Sequence, residues 1–145
     1  EMSIWYHDVI DEPCARDTEK RSAGFFAWYA LGHFPDEFVA DVRHLILATE
    51  HPEVVRDGDA CYITDIDLSG FALPWKEFCR DNDSLREEQR GLSDASYHAS
   101  TQRFLVNLYA RSRIFRTDFF HELYEAQARD NIQRYLAECQ SATDR

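Results

Sequence analysis

Apolar and polar residues follow one another along this 145-residue chain with the period of an α-helix. The clearest case comes directly after Pro35, where segment 36–50 opens with a good N-capping aspartate and places one face at i, i+4, i+7, i+8 and i+11. The residues on that face are Phe38, Val42, Leu45, Ile46 and Thr49. This spacing predicts an amphipathic helix over residues 36–50.

Three later segments also carry helical patterns. Residues 60–71, behind a turn at 57–59, are predicted to form a buried helix that ends near Gly70. Residues 94–110 and 117–138 show the strongest periodicity, and the second of these carries a single apolar stripe. The stripe consists of Phe120, Leu123, Tyr124, Ala128, Ile132 and Leu136.

Two local signals refine this outline. Residues 84–87, Ser-Leu-Arg-Glu, have the form of a capping box, although they also fit inside a longer helix that begins near Trp75. Glu125 and Arg129 are spaced as a favourable i,i+4 ion pair. No segment alternates like a strand, and no linker divides the chain. The pattern therefore predicts one all-α domain over residues 1–145, with about six or seven helices.

Charge and composition narrow the function. The formal net charge is −11, so a broad basic surface for a nucleic-acid polymer is excluded, whereas a metal-centred site for a small phosphate is not. No apolar run is long enough to span a membrane. The four cysteines, Cys14, Cys61, Cys79 and Cys139, lack zinc-type spacing, which indicates thiols outside any disulfide and a cytoplasmic location.

Carboxylates and imidazoles stand beside apolar helical segments at four places. These are His7-Asp8, Glu19, Thr49 with His51, and Asp65-Ile66-Asp67. Such donors suit a divalent ion such as Mn, Fe, Co, Ni or Zn, or Mg where carboxylates dominate. Adjacent His and Asp project about 100° apart on a helix, so both can reach one ion.

Ordinary structural roles compete with this interpretation. Asp8 fits a solvated or capping carboxylate, and His7 fits a hydrogen-bonded core histidine. Glu19 and His51 fit the favoured charges at a helix start and a helix end. Asp65 and Asp67 point to different helix faces, which predicts that one of them is structural or solvated.

An ordered series of segments carries a family resemblance. IWYHDVID, EKRSA, LILATEHP, DIDLSGF, LREE and RIFRT, followed by E-x-x-A-R-x-N-I, occur in that order between Ile4 and about Leu136. Together they resemble the predicted metal-dependent phosphohydrolases of the HD superfamily, in particular a small bacterial group. The resemblance implies an HD-domain-like helical bundle with a divalent-metal site.

The resemblance also implies roles for individual residues. His7 and Asp8 match the adjacent His-Asp pair of metal ligands, and the later aspartate ligand falls at Asp67, with Asp65 as the alternative. Glu19 and His51 match positions that complete a second metal site or contact the substrate. In the implied mechanism, Asp8 or a nearby carboxylate accepts a proton from water, while His51 and an arginine such as Arg86 neutralise charge on the phosphate.

The chain departs from the family pattern at several points. The first signature His, in a Tyr-His-Asn segment, is expected before Glu1, and Thr18 stands where the group has Asn. Gln89 replaces a usual Tyr, and a Gly-Arg step is missing near 100–101. We expect the sequence to be N-terminally incomplete, beginning inside the second helix of the bundle, rather than a diverged member. As given, it is expected to bind metal weakly and to hydrolyse generic phosphomonoesters poorly.

Two functional hypotheses follow. The first is a metal-dependent phosphohydrolase whose partner is a nucleotide or another small phosphate ester. The alternative is a catalytically depleted HD-fold binding or oligomerisation module, for which a homo-oligomer is the expected partner. A helical adaptor with an incidental His-Asp pair fits the ordered resemblance least well.

Overall fold

In the computed structural model, residues 1–12, 15, 17–52, 55 and 57–143 are described. Over those residues the chain contains seven α-helices and one 3₁₀ helix, with no β-strand. The helices are α1 (Met2–Tyr6), α2 (Thr18–Ala30), α3 (Asp36–Ala48), α4 (Gly58–Leu68), the 3₁₀ helix (Ser69–Ala72), α5 (Trp75–Glu88), α6 (Asp94–Tyr109) and α7 (Asp118–Thr143). The predicted all-α class is confirmed.

Most predicted boundaries lie close to the observed ones. The helix expected over 36–50 is α3, and the one expected over 60–71 is α4 continued by the 3₁₀ helix that contains Gly70. Ser84 lies inside α5, where its hydroxyl donates to the carbonyl of Arg80. The longer-helix interpretation is therefore the right one, and a helix start at the capping-box sequence is wrong. Helix α7 continues past the predicted end at 138 to Thr143.

The chain divides into two compact units, residues 1–67 and 68–145. In the first unit, α2 and α3 bury Ala23, Phe26, Ala30, Val42 and Ile46 in one cluster. These residues recur at three- and four-residue intervals on their helices, so each set forms one face. Gly32 has a φ of 76° in the connection between the two helices, a conformation that glycine adopts without a steric cost.

In the second unit the core lies along α7. Ala128 and Ile132 are completely buried against Leu105, Leu108 and other residues that precede α7. Leu123, which the sequence places on the same apolar stripe, is 59% exposed. The stripe prediction is wrong at that position, because the buried face of α7 is narrower than the run of apolar residues.

The predicted Glu125–Arg129 pair is confirmed, and it connects α7 to the preceding loop. Glu125 accepts hydrogen bonds from the backbone N–H groups of Ile114 and Phe115, at 3.0 and 3.1 Å. Arg129 lies 2.7 Å from Glu125 and donates to the carbonyl of Tyr109. The ion pair therefore satisfies loop groups that would otherwise be left without partners in a buried setting.

Two further expectations concern thiols and membranes. Cys61, Cys79 and Cys139 form no disulfide, whereas Cys14 lies outside the described residues. Among the helices that the structure describes, none combines the length and the apolar character needed to cross a bilayer.

Candidate functional site

His7 is placed by the end of helix α1. It is the C-cap residue, with helical dihedral angles of −63° and −35°, so the His-Asp pair follows the helix rather than lying within it. Its Nδ1 lies 2.7 Å from the carbonyl oxygen of Ile4, and its Nε2 lies 3.1 Å from Oδ1 of Asp67. Both ring nitrogens face oxygen acceptors, which favours an imidazolium that donates from both sides.

His51 reaches the same carboxylate from the loop after α3. The helix ends in a series of tight i→i+3 backbone bonds, the last from the N–H of His51 to the carbonyl of Ala48. His51 then adopts a φ of 52°, in the left-handed region that costs a non-glycine residue roughly 1–2 kcal/mol. This turn directs its Nε2 to within 2.7 Å of Oδ2 of Asp67.

Asp67 lies in the last turn of α4 and holds one imidazole on each carboxylate oxygen. Its side chain is 27% exposed, against 20% for His7 and 12% for His51. Burial opposes ionisation, but the hydrogen bonds from His51 and His7 outweigh it and lower the pKa of Asp67 to about 2. The hydrogen bond that His7 donates to Asp67 raises the pKa of His7 to about 9, against the opposing effect of burial. At neutral pH the carboxylate is ionised and His7 is protonated.

Asp8 stands beside this group without a direct hydrogen bond to it. Its Oδ1 lies 3.5 Å from Nδ1 of His7, and 71% of its side chain is exposed. Asp8 therefore adds a solvent-accessible negative charge next to the imidazolium. Of the expected pair, His7 is the member that contacts Asp67.

Asp65 and Asp67 differ as their spacing predicts. Asp65 is completely buried, and two helical residues separate their directions by about 200°. The carboxylate that both imidazoles contact belongs to Asp67. Asp65 thus faces the interior of the protein, while Asp67 faces the site.

The remaining expected residues have other contacts. Glu19, in the first turn of α2, accepts a hydrogen bond from the hydroxyl of Thr18 at 3.1 Å. Arg86, in the second unit, binds Asp94 and donates to the carbonyls of Gln89 and Leu92. Their expected roles toward a substrate stay predictions.

An apolar crevice borders the carboxylate. It is lined by His7, Asp67 and three isoleucines, Ile4, Ile63 and Ile66. Apolar walls keep water from competing for the polar atoms, which strengthens the electrostatic interactions among them.

The donor atoms, two imidazole nitrogens and a carboxylate, are of the kind that binds a divalent transition-metal ion. Within the part of the chain that the structure describes, no group of three or more His, Cys, Asp or Glu side chains has the spacing of a preformed metal site. The Nε2-to-carboxylate distances of 2.7 and 3.1 Å are those of hydrogen bonds.

Sequence reasoning identified each residue of this group but not the contact of His51 with Asp67. The signal for it was weak, because a histidine just past a helix end has an ordinary electrostatic explanation. Its left-handed backbone, which directs the ring, is not encoded in any local motif. Comparisons with protein-family models, curated proteins and solved structures gave no significant match.

Proposed function

We propose that this protein is a metal-dependent phosphohydrolase with an HD-type site in its first unit. The observation that supports this proposal most directly is the convergence on Asp67 of two imidazoles that lie 60 and 16 residues away in the chain. All three residues fall within the ordered segments that resemble the HD superfamily. The proposal includes an HD-domain-like arrangement of the helices and a cytoplasmic location.

His7, His51 and Asp67 would hold the ion, and Asp8 lies beside His7, with its Oδ1 3.5 Å from Nδ1. Two imidazoles with one or two carboxylates favour Mn, Fe, Co, Ni or Zn over Mg, which prefers oxygen ligands. When bound, a divalent ion polarises a phosphoryl oxygen and lowers the pKa of its bound water to about 7 in favourable sites.

The side chains of this chain supply the remaining functions. Asp8 is the exposed carboxylate of the group and would accept the proton of the attacking water. Asp67 holds both imidazoles in fixed orientations, which lowers the cost of organising the site. The apolar crevice would exclude bulk water from one side of the reacting phosphate.

Calorimetric titration with Mn²⁺, after removal of metal by a chelator, tests the site. His7→Ala, His51→Ala and Asp67→Asn are each expected to weaken binding by about tenfold or more, since each removes a ligand or its partner. Two substitutions on exposed residues, His33→Ala and Asp41→Asn, are the matched controls and should bind Mn²⁺ like the wild type. Equal Mn²⁺ affinity in all six proteins would refute the metal site.

Hydrolysis is assayed on a panel of phosphate esters with Mn²⁺ or Mg²⁺. The expected activity depends on the added metal and is lost in His7→Ala and Asp67→Asn. Activity that persists in these variants, or in excess chelator, would exclude the HD mechanism. Firm metal binding without hydrolysis of any ester would transfer support to the second candidate function.

The second candidate is a non-catalytic HD-fold module for oligomerisation. A chain of ring contacts on α1 and α2 favours it, in which Tyr6 contacts Phe25 and Tyr29 while Phe25 contacts Trp28. Trp28 is 72% exposed and Tyr29 is 55% exposed, and aromatic residues are enriched in the centres of interfaces. Light scattering that shows a dimer in the wild type and a monomer in Trp28→Ser would support this candidate. A wild-type monomer at all concentrations would oppose it.

A further inference from the structure

A second cavity in the first unit lies between α3, α4 and the residues Pro52, Val55 and Asp57 that separate them in the chain. Its volume is about 570 Å³, within the roughly 300–1,000 Å³ typical of small-molecule sites. Most of its wall is apolar. The apolar lining residues are Leu47, Ala48, Pro52, Val55 and Ala60.

The cavity results from small residues at a helix contact. Ala48 of α3 and Ala60 of α4 pack in one cluster with Ile63, and both line the cavity. Alanine at two facing positions leaves space that larger side chains would fill. At the rim, Nε2 of His44 lies 3.3 Å from Oδ2 of Asp57.

The cavity lies next to the candidate metal site along α4, because Ala60 lines the cavity and Asp67 belongs to the site. Ala60 and Asp67 are seven residues apart on α4, which places them on one face of the helix and about 10 Å apart along its axis. Ile63 lies between them, contacting Ala60 on one side and lining the crevice with His7 and Asp67 on the other. On the facing wall, Pro52 follows His51 directly.

We propose that this cavity binds the leaving group of the substrate, and that the substrate is a phosphate monoester of an uncharged, ring-bearing alcohol. The proposal rests on the proposed function, because it places the phosphate at His7, His51 and Asp67. An extended aryl or nucleoside phosphate has the length to reach from that site into the cavity. The apolar wall favours a neutral ring over a charged leaving group such as a sugar phosphate, because a buried charge without a partner is costly.

Binding of the leaving group is measured separately from the reaction. Fluorescence titration of the 145-residue protein with 1-naphthol, in excess chelator, should show saturable binding, because the cavity residues need no metal. Ala48→Phe fills the cavity and Val55→Asp places a charge in its wall, and each should weaken naphthol binding about tenfold or more. Ala99→Phe, an equal enlargement at an exposed position of α6, should leave the affinity unchanged.

Binding of 1-naphthyl phosphate then tests the connection to the metal site. With Mn²⁺ present, 1-naphthyl phosphate should bind more tightly than 1-naphthol. His7→Ala should remove this difference in affinity and leave the affinity for 1-naphthol unchanged. Circular dichroism establishes that each variant is folded. Unsaturable naphthol binding, or wild-type affinity in both folded cavity variants, would overturn the proposal. Naphthol binding without any gain from Mn²⁺ would instead refute the proposed function and, with it, the assignment of the cavity to a leaving group.

Discussion

The protonation of His7 makes the stability of the metal-free protein depend on pH in a defined direction. Asp67 raises the pKa of His7 from 6.5 to about 9. A group whose pKa is raised on folding stabilises the protein fully below its unfolded pKa, and this contribution disappears as the pH rises through the folded value. The protein should therefore lose stability between about pH 6.5 and pH 9 through this residue.

The magnitude follows from the size of the pKa change. At 1.36 kcal/mol per pKa unit, a rise from 6.5 to about 9 corresponds to roughly 3 kcal/mol. The side chains of His7 and Asp67 are 20% and 27% exposed, so solvent screening reduces the expected contribution to about 1–2 kcal/mol. His7→Gln has no titrating group at this position and should lack that part of the pH dependence.

Urea unfolding in excess chelator, at about pH 6 and about pH 9.5, measures the effect as a difference of differences. The wild type should lose about 1–2 kcal/mol more than His7→Gln between the two conditions. His33→Gln, at an exposed position, should behave as the wild type does. NMR titration of the histidine ring protons gives the pKa directly, and in Asp67→Asn that of His7 should fall toward its usual value. A His7 pKa near 6.5 in the wild type, or one near 9 in Asp67→Asn, would refute the assigned cause.

Three other predictions follow from individual contacts. Asp67→Asn should abolish Mn²⁺ binding in calorimetry. Asp65→Asn should retain Mn²⁺ binding and lower the free energy of unfolding by about 1–3 kcal/mol. The reverse pattern would show that the site lies on the other face of α4. Glu125→Ala should cost about 3 kcal/mol in urea unfolding, because it leaves two buried loop N–H groups without an acceptor and removes the carboxylate that faces Arg129. Glu138→Ala, in the exposed pair with Arg134, should cost under about 0.5 kcal/mol, and similar costs for the two variants would contradict this difference. His51→Gly should be more stable than His51→Ala by about 1 kcal/mol, since both lose the ring and only alanine keeps the left-handed strain; equal stabilities would remove the strain argument.

Local periodicity was sufficient to predict α3, α6 and α7, whose apolar residues recur at helical spacing. Helix α3 is recognisable from Val42 and Ile46 alone, which are spaced by one turn and are both buried. The same rule placed Leu123 in the core, where it does not lie. Periodicity predicts which residues share one face of a helix. How wide the buried part of that face is depends on the neighbouring helices, which a local sequence pattern does not show.

The sequence singles out the residues of the candidate site, but it predicts the contacts among them only in part. The types of residue at 7, 8, 51 and 67 follow from the resemblance to the HD superfamily, and the separation of Asp65 from Asp67 follows from helical geometry. The contact between His51 and Asp67 depends on one left-handed residue after α3. The φ angle of one loop residue depends on the tertiary contacts of the loop. The spacing of residues in the sequence does not predict it.

The observed hydrogen bonds and the proposed metal site involve the same nitrogen and oxygen atoms. Nε2 of His7 and Nε2 of His51 both point at the carboxylate of Asp67, and a proton on each nitrogen gives the network its present contacts. An ion that bound there would have to displace those protons, including the one that Asp67 holds on His7 well above neutral pH. Asp67 therefore orders the two imidazoles and also stabilises the protons with which a metal ion would compete for their Nε2 atoms.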